Sequence, residues 1–579
     1  MILKALDEYY RHCDELPKMG WMKKKIEYLI VIDESGKLIN IESTRIDKTH
    51  VKEFMIPEES GRTSGIRPYL FNDKLEYICG YNYKQPEKKS ELKNNAFITR
   101  CRQISEKYPD NIGFKAVVRF YDNHGIEQVF VHPVWNELME FTGTVSFRLF
   151  NSFKIIAEDQ ELNNEILNND DNLKEGYCMV TGKYGKLINL SQKFHFPGTS
   201  LSGASLISFE NNSGYDSWGN KQCGNVQIST ETNHNYCAAL QKLNANDSKN
   251  KKKLNSNRTL LFWSANNSIC KKAEYGLFAL LNIKKTSDSD LFEVEELFKG
   301  IYSGNIKTSE NDKFYFIIIS GGKSRLGITY WNECTLKDFA VNIHQHFKDM
   351  DIVDTRKFKT PYKGLFEMIK SVSFVTSDGK VKNPFPNLME NTLKAILQGT
   401  CYPELLYLSA LKRIMIEKDK ATINNSITRT AILKAYLNRK NINTVKKMEK
   451  KLDKENTNPG YLCGRLFAVL EKEQKDTNSN NMSNIKNTYF SSVVDMPCLI
   501  LTEILKNSPH YERKFKENAK IFYKNLIYND ILCKFSEQKI PTRLSIDDKG
   551  YFYVGYAQQN AELYKKNESK NITDTDMKK

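Results

Sequence analysis

The sequence predicts an α+β protein: an N-terminal mixed α/β region with hairpins and antiparallel sheet, followed by an all-helical C-terminal region ending in a helical bundle. Three observations carry this. Strand-length apolar runs bounded by turn residues occur at 26–32, 260–263 and 313–331, and such runs read as buried strands. Beyond residue 357 apolar residues recur at helical spacing over 364–372, 388–397, 403–416 and 427–438, and strands nearly vanish. At 579 residues the chain is also too long for one hydrophobic core. The expected organisation is a mixed domain over 1–356, a helical connecting region over 357–447, a helical bundle over 448–566 and a polar tail over 567–579.

Taken in order, the chain opens on an amphipathic helix with Ile2, Leu3, Leu6, Tyr9 and Tyr10 on one face. Acidic Asp7, Glu8, Asp14 and Glu15 exclude a signal peptide there. Residues 26–32 and 37–41 form a hairpin around Asp33-Glu34-Ser35-Gly36. Residues 61–67 hold Arg62, Ser64 and Arg67 in a basic, hydroxyl-rich loop suited to phosphate. Helical pattern is expected at 91–107 and 134–184, with strands at 114–120 and 127–131 between them. A helix follows at 229–243, then an exposed polar loop at 244–257 carrying Lys251, Lys252 and Lys253. Such a loop is either simply solvated or tracks a phosphate backbone.

The SGGKS of residues 320–324 invites a nucleotide-binding reading, but the glycine a P-loop needs five positions before Gly322 is Ile317. Residues 325–331 alternate as a strand, so the segment reads as a hairpin turning at Gly321-Gly322. His344 and His346 stand two apart, point to different sides of a helix and read as packing residues. The helix at 427–440 places Arg429, Lys434, Arg439 and Lys440 beside apolar Ile427, Ala431, Ile432, Ala435 and Leu437, a pattern read here as a basic, solvated face. Further helices are expected at 461–473, 485–506, 513–528 and 552–565.

A formal charge of +16 makes nucleic acid the first partner to consider. Twelve cysteines occur without a CxxC or CxxxC pair, which excludes the usual zinc spacings and reads as core thiols in a reducing cytoplasm. No apolar run approaches the roughly 20 residues a membrane span requires. Carboxylates do not fall into the pattern of a metal-dependent nuclease, so no catalytic residue, cofactor or metal is expected.

The most unusual stretch is residues 194–225, FHFPGTSLSGASLISFENNSGYDSWGNKQCGN. It is rich in Gly, Ser and Asn yet punctuated by aromatics, which a flexible linker would lack. Read as loop, strand (204–210) and loop, it offers Gly203 and Gly219 for close backbone approach. Ser200, Ser202, Ser205, Asn220, Gln222 and Asn225 supply short neutral donors and acceptors beside Ala204. Ordinary Gly-rich turns in a sheet domain would have the same composition, and the residues alone leave the two readings open.

An ordered set of segments then resembles a known family. It comprises MILKALDEYY, IEYLIVIDESGKLINIE, GRTSGIRPYL, SGASLISFE followed by YDSWG and GN, LLFW, FYFIIISGGKSRLGITYW, NPFPNLMENTLKAILQGTCYPELL, RTAILKAYLNR and GYFYVGYAQQNAEL. Together these resemble the large subunit of the type I-C CRISPR effector complex (Cascade), the Cas-eight family of the Dvulg subtype, nearly end to end. The resemblance implies a non-catalytic, cytoplasmic subunit at the end of the complex nearest the protospacer-adjacent motif. It would help open duplex DNA, stabilise the R-loop and present the site to a helicase-nuclease in antiviral defence. Implied partners are the guide crRNA, the target double-stranded DNA, the backbone subunits, the crRNA-end-binding subunit and small subunits, with no membrane.

The C-terminal bundle would resemble the small subunit, which type I-C systems also make by internal translation; Met448 stands at its mouth. On this reading Ser200, Ser202, Gly203, Ala204, Ser205, Gly219, Asn220, Gln222 and Asn225 are the motif-reading candidates, with Gln222 or a neighbour wedging the duplex. Arg62, Ser64, Arg67, Lys251, Lys252, Lys253, Arg429, Lys434 and Arg439 are phosphate candidates. The alternatives are a sequence-nonspecific nucleic-acid-binding scaffold or a metal-dependent nuclease.

Overall fold

The computed structural model describes all residues except 1, 14, 47–50, 59–64, 83–86, 141–142, 164, 166–172, 211–213, 217, 266–267, 282–287, 354–363, 376–380, 383–384, 386, 418–422, 441–445, 478–484 and 565–579. It is an α+β chain of two compact units. The first comprises Met1–Ser248 with Ser320–Gly327; the second comprises Lys249–Ile319 with Ile328–Lys579. A border near residue 356 falls in 354–363, and the tail 567–579 in 565–579, both outside the described residues.

The first unit is built on the strand Tyr28–Ile32, buried at every position. It pairs antiparallel with Leu38–Ser43 and parallel with Val145–Leu149, so that Ile30 lies opposite both Ile41 and Phe147. The two-residue strand Asn72–Asp73 completes the sheet. The expected hairpin is present. Asp33 Oδ1 accepts from the backbone N–H groups of Ser35 and Lys37, both at 2.9 Å. Gly36 has φ +81°, and a Cβ there would lie 2.4 Å from the Phe120 nitrogen, so both conformation and space require glycine.

Residues 114–120, expected as a strand, lie in the helix Ile112–Asp122, and 127–131 largely in the helix Gly125–Phe130. Phe114, Val117 and Phe120 recur every three residues and face the sheet core, where Phe114 stacks on Phe71 at 4.7 Å. Asn111 caps this helix, accepting from Phe114 N–H at 3.1 Å. The stretch 134–184, expected as helical, instead contributes the strands Val145–Leu149, Glu175–Tyr177 and Tyr184–Lys186. The alternation of Val145, Phe147 and Leu149 is a strand period.

In the second unit four strands lie in the order Lys251–Lys253, Arg258–Ser264, Lys313–Gly321, Leu326–Thr335. The three lysines expected in an exposed loop therefore form an edge strand, paired antiparallel with residues 259–261. Charged edges of this kind discourage strand addition. One apolar core continues from Leu254 through the helices to Val554. Its tightest packing joins the helices Pro459–Thr477 and Ile546–Leu563, where a Cβ at Gly464 would lie 2.0 Å from the Phe552 carbonyl oxygen and one at Gly460 2.1 Å from that of Asp548.

The expected helix at 485–506 is broken into Ile485–Tyr489 and Pro497–Leu505, proline taking the first helical turn of the second. The expected 513–528 helix is Glu517–Lys524, continued by a π-helical segment Asn525–Ile531. His346 is buried with Nδ1 2.6 Å from the Tyr402 hydroxyl, and His344 stacks on Tyr302.

Candidate nucleic-acid interface

The central stretch of the first unit is organised along the helix Thr230–Asn244. Ser229 caps its start, accepting from Thr232 N–H at 3.2 Å. Beside it the chain 187–195 runs from one end to the other. Leu187 bridges to Ser229, Ser191 hydrogen-bonds Tyr236, and Asn244 Nδ2 donates to the His195 carbonyl at 2.9 Å. The opposite side of the helix is locked by Asn235 Nδ2 donating to Asp7 at 2.7 Å and by His234, 2.7 Å from Glu58 and 3.1 Å from the Pro17 carbonyl. Burial pulls His234 toward neutrality, but the hydrogen bond and charge of Glu58 outweigh it and hold the ring above the ordinary histidine range.

From this platform residues 195–203 emerge as a loop between the paired strands Lys193–Phe194 and Ala204–Ser205. Phe194 and Phe196 are buried and anchor it. The turn is fixed by hydrogen bonds within it: Thr199 N–H to Phe196 O at 3.1 Å, Gly203 N–H to Ser200 O at 3.0 Å, and Ser200 Oγ within 2.9 Å of Ser202 Oγ. Gly203 has φ +77°, and a Cβ there would sit 3.1 Å from Phe194 O. Leu201, at the outermost point, is 102 % exposed.

Against this loop packs the tip of the 313–335 hairpin. Ser200 N–H donates to Lys323 O at 3.1 Å, Ser205 bridges to Arg325, and a Cβ on Gly321 would lie 2.2 Å from Pro197 O. Lys323, Ser324 and Arg325 are exposed. The Arg325 guanidinium lies 3.5 Å from Glu210, with both side chains solvated. These residues are not among the site candidates expected from the sequence, where SGGKS fails as a P-loop and reads simply as a hairpin turn. The signal available was two glycines followed by Lys-Ser-Arg at a hairpin apex.

The second loop ends at the other end of the platform helix. Its aromatic Trp218 is 90 % exposed, next to exposed Gly219 and Asn220. Gln222 opens a 3-10 turn, Gln222–Asn225, at φ +48°, an uncommon conformation for a residue with a Cβ. Asn225 Nδ2 donates to the Gln222 carbonyl at 3.0 Å, and Cys223 anchors the turn in a small apolar cluster with Cys178, Val180, Ile188 and Ile228. The roots of the two loops are therefore separated by the helix, roughly 20 Å at 1.5 Å per residue.

The motif-reading candidates thus divide. Ser202, Gly219 and Asn220 are exposed, and Ser200, Gln222 and Asn225 are partly so. Gly203, Ala204 and Ser205 are buried and correct the expectation: they form the strand pair and glycine turn beneath the loop, with no side chain facing outward. The expected strand at 204–210 shrinks to Ala204–Ser205.

Among the phosphate candidates, Arg67 is exposed, while Arg62 and Ser64 lie outside the described residues. Lys251, Lys252 and Lys253 form the edge strand of the second unit, with Lys253 exposed. The basic helix face is a second correction. Arg429, Lys434 and Arg439 are 1 %, 1 % and 7 % exposed, because the helix Ile423–Lys440 runs through the core of the second unit. Arg429 bonds Ser371 O and Glu417, Lys434 reaches Lys348 O and Met448 O, and Arg439 bonds Asp349, Ala395 O and Thr400 O. These cations are structural.

Among the described residues no three His, Cys, Asp or Glu side chains come together as a metal site, all twelve cysteines are free, and no helix is long and apolar enough to cross a membrane. The family model described as CRISPR-associated protein (Cas_Csd1) matches residues 6–564. The chain belongs to this family. It is a type I-C Cascade subunit, the large one, as the ordered segments of the sequence implied. No curated protein matches it. The match of this Cas_Csd1 chain spans both compact units, so the central loops and the helical core belong to one family architecture.

Proposed function

We propose that this Cas_Csd1 chain reads the protospacer-adjacent motif on target double-stranded DNA for its type I-C complex, without catalysing a reaction itself. It helps separate the duplex beside the motif, stabilises the R-loop and contributes to recruiting the helicase-nuclease. Its partners in this role are the guide crRNA, the backbone and small subunits and the subunit holding the crRNA end. The observation that carries the reading is the loop 195–203. Its conformation is fixed by its own hydrogen bonds and by Gly203, and it presents small hydroxyls beside exposed Lys323 and Arg325. A rigid, neutral, narrow loop with flanking cations suits approach to base edges in a groove while phosphates are held at its sides.

The displaced strand cannot use Arg429, Lys434 or Arg439. Its path instead follows residues 513–528, where Arg513, Lys514 and Lys524 are exposed together with Phe522 and Tyr528, a pairing of cations with stacking platforms. The reading is tested with Ser202→Asp in the assembled complex. Discrimination between good and scrambled motifs should collapse toward unity while the yield of complex is unchanged. Unaltered discrimination removes loop 195–203 from motif reading.

A further inference from the structure

The twelve cysteines take no part in the activity argued so far, and most of them are buried. Cys178 meets the Thr232 hydroxyl, Cys237 the Asn233 side-chain oxygen and Cys533 the Asn529 carbonyl. Cys13 is different: it is half-buried, and its sulfur meets an amine. Lys242 Nζ lies 3.2 Å from Cys13 Sγ and 2.5 Å from Glu15 Oε2. The Lys242 and Glu15 side chains are 32 % and 79 % exposed, so small solutes reach the cluster. A cation beside a solvent-accessible sulfur is the setting in which cysteines react with oxidants.

The contact is held from both sides. Cys13 N–H donates to Tyr10 O at 3.1 Å and Leu16 N–H to Cys13 O at 3.2 Å, while the Tyr10 hydroxyl donates to Pro17 O at 2.6 Å, so the turn is closed by its own bonds. This turn lies along one face of the helix Thr230–Asn244. His234 Nε2 is 3.1 Å from Pro17 O, and Lys242, roughly two helical turns further on, reaches Cys13. Sulfur and amine therefore stay adjacent.

We infer that Cys13 and Lys242 are joined by an oxidative cross-link, a sulfenamide, when the protein meets hydrogen peroxide. The sulfur takes one oxygen from the peroxide, giving a sulfenic acid and one water; sulfur is oxidised by two electrons and the peroxide is reduced. The Lys242 ammonium passes a proton to Glu15, and the amine attacks the sulfur. The N–S bond forms, the S–O bond breaks, and the hydroxyl leaves as a second water with a proton from nitrogen. Glu15 returns its proton to solvent. Two equivalents of a thiol reverse the bond, restoring cysteine and lysine with a disulfide of the reductant. The bond ties the turn after the first helix to the end of the platform helix, beside Asn244, which holds the root of loop 195–203.

The test treats the full-length protein with hydrogen peroxide, digests it without reductant and reads the peptides by mass spectrometry. A pair joining Cys13 to Lys242 is expected, about 2 Da lighter than its two peptides together, lost on adding a thiol and absent from K242R. Arginine keeps a cation beside Glu15 without the amine. The sulfenic acid then persists, so dimedone should label Cys13 about fivefold more in K242R than in the native chain. Exposed Cys533, labelled equally in both, controls for oxidation. E15Q should slow the link severalfold while Cys13 is oxidised at the native rate. Equal dimedone labelling of Cys13 in the native chain and K242R overturns the cross-link, as does a Cys13 that stays reduced while Cys533 is oxidised. A joined pair about 14 Da heavier than its peptides, with one oxygen kept between nitrogen and sulfur, overturns the direct N–S bond.

Discussion

Replacing Arg439 with alanine should unfold the second unit more easily and leave DNA binding by the folded protein untouched. Arg439 and Asp349 are 4 % and 2 % exposed at the side chain, with Nε 2.7 Å from Oδ2. The same guanidinium donates to Ala395 O at 2.8 Å and Thr400 O at 2.7 Å and lies over the Tyr402 ring at 4.2 Å. Alanine would leave the Asp349 carboxylate in the core with the hydrogen bond from Gln345 Nε2, at 2.6 Å, and the charge of the buried Lys434 nearby, but without its ion-pair partner. Breaking a buried pair from one side costs about 3–5 kcal/mol, whereas exchanging both partners for apolar residues is often neutral. Urea denaturation followed by circular dichroism should therefore show a large fall in the midpoint for R439A, and much of it recovered in D349L/R439M. An R439A protein of native stability whose salt-dependent DNA affinity is reduced would put Arg439 on an exposed, phosphate-contacting face instead.

Three further expectations follow from particular contacts. Gly464→Ala places a Cβ 2.0 Å from the Phe552 carbonyl oxygen and must push two core helices apart, so a loss of about 2–3 kcal/mol or more is expected in the same denaturation assay. Glu473 is fully buried beside Ser508, and burial first, then the charge of Glu512, raises its carboxyl to about 7. Its folded value exceeds its unfolded one, so its contribution is present below about 4.5 and is lost as pH rises through about 7. Glu473→Gln should flatten stability against pH across that window and stabilise the protein at pH 8 by on the order of 2–3 kcal/mol. Gly321→Ala should force the buried hairpin tip away from the Pro197 carbonyl and weaken motif discrimination severalfold, read by competition binding.

Legibility followed the range of the interactions. The 28–43 hairpin was readable because alternation, the Asp33-Glu34-Ser35-Gly36 turn and the glycine conformation are all local. The helix Ile112–Asp122 was misread because a short apolar run such as FKAVVRF fits both periods, and the deciding signal was the Asn111 cap before it. The helix Ile423–Lys440 misled for another reason. Amphipathic reading presumes a solvent side, and this helix has none near residues 428–439, where cations meet buried carboxylates and carbonyls supplied by residues far along the chain. The central stretch was visible as unusual by composition alone. Its division into buried floor and exposed apex was not, because that depends on Lys193–Phe194 and on a hairpin tip more than a hundred residues downstream.

Motif reading by this subunit is decided by titrating the guide-loaded complex, with and without it, against duplexes that share one target and differ only in the flanking three base pairs. Tight binding that needs both the subunit and one particular flank is the predicted result. An equal gain in affinity for every flank would make the chain an electrostatic scaffold and not a reader of the motif.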